Sequence, residues 1–238
     1  MPLTQTERPF NIPVFKRILS VTALAGLLAG SVLTAIEQAC IVPIILEAEV
    51  HENAAAQTSA PRALTASSHG HEAWRPVEGW ERTFLTLVAN IVMAVGFALL
   101  LGALICLHGK MTSWRGGLLW GLAGYGVFFV APSLGLPPDV PGSEAAGLVE
   151  RQIWWLFAVL CAGAGLWILV FARSFPAKSL GLLLLVLPHW IGAPPPQIGG
   201  SLTPPVLASS LLHATALANA VFWLLLGSLT GFLSRKLA

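Results

Sequence analysis

From Phe84 to Leu107 the chain carries no charged side chain. A run that long and apolar on every side has two settings, a deeply buried helix or a membrane span. Five further apolar runs decide between them: Phe15–Ile36, Gly117–Ala131, Ile153–Phe171, Leu180–Ile191 and Ser209–Leu233. Charged residues make up only 10% of the chain, where soluble domains carry about 25%. Lipid is therefore the solvent for most of this protein. A span needs about 20 residues, so 238 residues accommodate about six with short connections. The expected fold class is an all-α polytopic membrane protein with about six transmembrane helices. Residues 1–14 read as a polar tail, and residues 15–238 as one membrane domain.

The first apolar run follows Lys16 and Arg17, which is also the pattern of a secretory signal peptide. Cys40 invites a lipoprotein reading as well. Glu37 and Gln38 stand where that cleavage site wants small or apolar residues, and apolar character resumes at Ile41–Leu46. An uncleaved first helix that bends or ends near Pro43 is the expectation. The fifth run is short and needs its flanks to cross.

Orientation follows from Lys and Arg in the short loops. With six spans, one side receives Arg8, Lys16, Arg17, Lys110, Arg115, Arg173, Lys178, Arg235 and Lys236. The other receives Arg62, Arg75, Arg82 and Arg151. The richer side is cytoplasmic, which puts both termini inside.

This topology sorts the metal-binding side chains. Every acidic residue except Glu7, and every histidine except His108, falls at or near the outer face. One stretch, 47–82, holds His51, His69 and His71 and six of the eleven acidic residues. A large outer loop collects acids in any case, because acids do not follow the positive-inside rule. That does not account for His189 and His213, which arrive at the same level from distant parts of the chain. Glu47 and His51 are spaced to share one face if span one continues as a helix. His69 and His71 suit an extended loop, with Glu72 beside them. Imidazole and carboxylate together favour borderline divalent ions such as cobalt, nickel, zinc or copper. Against this stands a solvated loop with incidental histidines.

Glu37 lies near the outer end of span one. A carboxylate there costs up to about 3 kcal/mol unless it is paired or reaches water, and Arg151 is a candidate partner. His189 follows Pro188, a helix break of the kind tolerated where backbone lines protein or a cavity. For His189 and His213 taken singly, an interhelical hydrogen bond competes with metal ligation. Asn90, Asn219 and Gln152 read as glue between helices. Gly26-x-x-x-Gly30, Gly117-x-x-x-Gly121 and Gly227-x-x-x-Gly231 read as close-packing stripes. Two hairpins, opening at Glu81–Asn90 and Glu150–Leu156, look like repeats. They close on the similar segments Pro132–Pro138 and Pro188–Pro195.

Other classes find little support. A net charge of +2 gives no basis for a nucleic-acid partner. Cys40, Cys106 and Cys161 are isolated in sequence, with no C-x-x-C. There is no phosphate loop, no G-x-S-x-G, no H-E-x-x-H and no pair of intramembrane aspartates, so the chain reads as a non-enzyme.

The sequence resembles the CbtA family, described as predicted cobalt transporter subunits. The resemblance rests on Ile44–Val50, Trp74–Arg82, Gly117–Pro138, Arg151–Trp155, Leu187–Pro194 and Ala218–Gly227, and covers nearly the whole length. It implies a bacterial inner-membrane protein for cobalt uptake connected with cobalamin synthesis. It also implies a small, His-bearing, single-span partner subunit of the CbtB type. The expected cargo is cobalt(II) or a similar divalent cation, with no permanently bound cofactor. The expected metal-contacting residues are Glu47, Glu49, His51, His69, His71, Glu72, His189 and His213, with Glu37 at the mouth. A non-transporting scaffold or metal-sensing subunit is the alternative, and a membrane enzyme a more distant one.

Overall fold

The computed structural model describes residues 12–59, 79–108, 113–141, 143, 145–196 and 204–236. Within them the fold is all-helical, in keeping with the apolar runs. Helix α1 (Ile12–Ile36) passes through a π-helical turn (Glu37–Ile41) straight into α2 (Val42–Ser59). Helix α3 spans Trp80–Leu107. Helix α4 (Trp114–Tyr125) runs through a second π-turn (Gly126–Val130) into the short α5 (Ala131–Ser133). Then come α6 (Leu148–Phe171), α7 (Phe175–Ile191) and α8 (Pro205–Lys236). Five helical stretches are long and apolar enough to cross a membrane: Lys16–Ala54, Trp80–Leu107, Trp114–Ser133, Leu148–Phe171 and Pro205–Lys236. Helix α7, with 17 residues, is a shorter apolar helix.

The helices begin before their apolar runs. Helix α7 starts at Phe175 rather than Leu180, and α8 at Pro205 rather than Ser209. Composition marks where lipid begins, whereas backbone hydrogen bonding continues into the polar boundary. Residues Phe175–Ser179 extend the fifth run at its start, and bring α7 to about 25 Å at 1.5 Å per residue.

Pro43 does not end the first helix. The π-turn before it widens the ladder, and Val42 N–H bonds the carbonyl of Glu37, five residues back. A proline two residues past such a turn removes a donor where the ladder is already shifting register. The same device recurs at Gly126–Val130, where Ala131 N–H bonds the Gly126 carbonyl and Pro132 follows. Glu37 and Gly126 stand at the same spacing from their prolines.

Three antiparallel helix pairs carry the packing, each with glycine at the crossing. In α1/α3, Gly30 lies against the Asn90–Ile91 backbone and Gly26 against Val95. In α4/α8, Gly117 meets Gly227 and Gly231, and Gly121 meets Trp223 and Gly227. In α6/α7, Gly165 and Gly181 face each other. All three stripes read from the sequence are thus packing seams, and the third pair adds one that the G-x-x-x-G pattern does not mark. Between lipid-facing helices there is no hydrophobic driving force, so close backbone approach and dispersion do the holding.

Helix α8 joins the first two pairs by also packing on α1, with α3 touching it more lightly. At one end the guanidinium of Arg17 donates to the carbonyl of Ser234. The core around α8 is aromatic: Phe128 stacks on Trp223 at 5.2 Å, and Phe97 tilts against Trp223 at 4.7 Å. The α6/α7 pair meets the rest through α5 and the second π-turn. The repeat of hairpins is therefore not a repeat of packing, since α6 packs on α7 while α3 and α4 each pack elsewhere.

Candidate functional site

The carriers of the candidate metal ligands meet at one end of the bundle. Arg17 against Ser234 aligns the start of α1 with the end of α8, so α2 stands at the end where α8 begins. Arg82, in the first turn of α3, reaches Glu49 of α2 at 3.4 Å. Gly135, after α5, lies against Trp154 of α6 and Ala193 beyond α7. Trp154 in turn meets the ring of His189 edge-on at 6.2 Å.

Glu37 lies deeper along the first helical stretch than Glu47, Glu49 and His51. It opens the first π-turn and is half-buried. The amide of Asn90 on α3 donates to its carboxylate at 2.5 Å. The same nitrogen donates to the hydroxyl of Thr34 at 3.0 Å, and that hydroxyl donates to the Gly30 carbonyl at 3.0 Å. Asn90 and Thr34 are buried. The amide thus uses both of its protons between α1 and α3, which is how a buried amide becomes tolerable in a span. Arg151, the partner expected for Glu37, instead pairs with Asp139 at 2.7 Å. Asp139 follows the α5 break, beside the first turn of α6, and is the nearer carboxylate.

Glu47 and His51 lie on α2 and are exposed, one helical turn apart. Glu49, half-buried, is committed to Arg82. His69, His71 and Glu72 fall outside the described residues. His189 is half-buried in the last turn of α7, next to the buried Pro188. Gly192 caps that helix with φ of 88°, a conformation that glycine adopts without strain.

His213 is exposed on α8, and its Nδ1 lies 2.7 Å from the Ser209 carbonyl. A carbonyl only accepts, so Nδ1 is the donor in this contact, and in a neutral ring the lone pair is then on Nε2. Such a hydrogen bond fixes the tautomer of a ligating histidine. His189 and His213 stand on different helix pairs, α7 packing on α6 and α8 on α4 and α1. Among the described residues, no three His, Cys, Asp or Glu side chains converge on one point. The arrangement is a set of separated ligands at one end, with a hydrogen-bonded carboxylate beneath them. Asn90 is the glue between helices that the sequence led one to expect, whereas Thr34 was passed over. Their signal was the i, i+4 stripe Gly26, Gly30, Thr34, which runs down the α1 seam to Glu37.

The family profile described as "Probable cobalt transporter subunit (CbtA)" matches residues 15–235. The chain belongs to the CbtA family. As a CbtA protein it is a cobalt transporter subunit, with membrane-spanning helices that suit that work. No curated protein and no solved structure matches the chain.

Proposed function

We propose that this CbtA protein sits in the bacterial inner membrane with both termini cytoplasmic, its six helices forming one membrane domain. It takes up cobalt(II), or a similar divalent ion, together with a small His-bearing single-span partner. Capture takes place on the outer face at Glu47, Glu49, His51, His69, His71 and Glu72. The ion then passes His189 and His213 near the outer mouth, close to Glu37. Separated ligands suit this work, because a carrier has to release what it binds. A closed four-ligand cage would hold the metal as a structural site does.

The observation that supports this reading most is the gathering at one end of the bundle of helix ends distant in sequence. The end of α7 and the start of α8 bring His189 and His213 to the end where α2 carries Glu47 and His51. A neutral His213 would offer Nε2 to a metal while Nδ1 stays on the Ser209 carbonyl. The test is cobalt accumulation in cells expressing the chain with its partner. Joint replacement of Glu47, His189 and His213 by alanine is expected to abolish uptake while the protein stays in the membrane. Undiminished uptake would remove this route.

A further inference from the structure

At the Glu37 turn, backbone acceptors outnumber backbone donors. Val42 N–H is spent on the Glu37 carbonyl, and the α-ladder resumes with Val42 as its first residue. Pro43 has no N–H to give. The carbonyls of Gln38, Ala39 and Cys40 are left with a single helical donor, the N–H of Ile44. Two of the three therefore have no partner within the helix. Inside a membrane such oxygens are tolerated where they line protein, water or an ion.

The Glu37 side chain brings carboxylate oxygens to the same turn. Among the described residues no cation pairs with it, since Arg82 is held by Glu49 and Arg151 by Asp139. Its hydrogen-bond donor is the neutral amide of Asn90. The second π-turn supplies an internal comparison. It has the same backbone break before Pro132 and also packs on α8, but Gly126 stands where the first turn has Glu37. The break by itself is thus a shared packing device, and the carboxylate is what sets the first turn apart.

We infer that the Glu37 turn is an oxygen-only site for a monovalent alkali cation, the coupling ion of the transport cycle. Carboxylate and carbonyl oxygens are hard donors, unlike the imidazoles above them. One carboxylate is neutralised by one positive charge. A divalent ion would leave a net charge in a low-dielectric setting, at a cost. Carbonyls of interrupted membrane helices coordinate small cations in this way. The coupling role rests on the transport reading; the binding site does not.

The test is thermal unfolding of the purified protein in detergent, with sodium, lithium, potassium or choline chloride at constant ionic strength. An alkali cation is expected to raise Tm saturably in the wild type. Glu37→Gln is expected to raise the half-saturating concentration about tenfold or more. Pro43→Ala restores the missing N–H while keeping the carboxylate, and is expected to weaken the response in the same direction; it decides the matter where Glu37→Gln does not fold. The inference is overturned if no alkali cation outperforms choline, or if both variants respond as the wild type does. It is also overturned if cobalt, rather than an alkali cation, gives the Glu37-dependent shift. In vesicles an inward gradient of the same cation is expected to accelerate cobalt accumulation by the wild type and not by Glu37→Gln. A Glu37-dependent Tm rise with no cobalt accumulation would uphold the site and overturn the transport reading.

Discussion

Gly117 and Gly227 meet backbone to backbone at the α4/α8 crossing, and a methyl group on either would overlap the carbonyl oxygen of the other. Neither carbonyl can swing away, because each is tied into its own helix. Gly117→Ala and Gly227→Ala are each expected to destabilise the protein by about 1–3 kcal/mol, the usual range for overpacking. Gly96 is the control. It is helical and has nothing near its missing side chain, so Gly96→Ala is expected to be neutral or to stabilise by up to about 1 kcal/mol. Thermal unfolding in detergent measures all three.

Asn90 holds α1 to α3 through two acceptors, the hydroxyl of Thr34 and the carboxylate of Glu37. Asn90→Ala strips a donor from both, and is expected to cost about 1–3 kcal/mol. Because the two residues share one hydrogen bond, the effects of Asn90→Ala and Glu37→Ala should not add. A double-mutant cycle read by unfolding midpoints checks this, and additivity would mean that the contact carries no energy.

The Arg151–Asp139 pair is a close ion pair, but about a third of each side chain is exposed. Solvent screening keeps such pairs to about 0.2–1 kcal/mol. Asp139→Asn is therefore expected to lower Tm only slightly, and to leave cobalt accumulation at the wild-type level.

The residues of the polar stretch are proposed to raise the local concentration of metal rather than to move it. Replacing His51, His69 and His71 together by asparagine is expected to raise the half-saturating cobalt concentration several-fold with little change in maximal rate. A fall in maximal rate at unchanged half-saturation would place these histidines in the translocation step instead. Initial rates of uptake over a range of cobalt concentrations separate the two.

Much of the fold was legible in the sequence. Lipid solvation demands apolar composition along the whole span, so the helices announce themselves, and G-x-x-x-G marks where backbones touch. The Gly165–Gly181 contact escaped because each helix contributes one glycine, and single glycines form no pattern. Pro43 was read as a bend or an end of the first helix, and the structure excludes the end. Proline usually breaks a helix, but here the π-turn before it absorbs the lost hydrogen bond, and periodicity gives no sign of a π-turn. The partner of Glu37 was misassigned because a charge-matching argument looks for a cation, whereas the structure answers with the amide of Asn90. The candidate ligands were legible by residue type, but the distances between them were not. Which helix pairs with which is set by seams of small side chains that charge and hydropathy do not report.

The unbroken passage from α1 through the Glu37 turn into α2 has a mechanical consequence. At 1.5 Å per residue, the helical stretch Lys16–Ala54, 39 residues long, measures about 58 Å, against a hydrocarbon core of about 30 Å. Glu47 and His51 thus ride on a continuous helix, not on a slack tether. A few degrees of tilt at the Glu37 turn would sweep them sideways by an amount that grows with their height above it. Whatever occupies the turn and whatever is caught above it are joined by one lever.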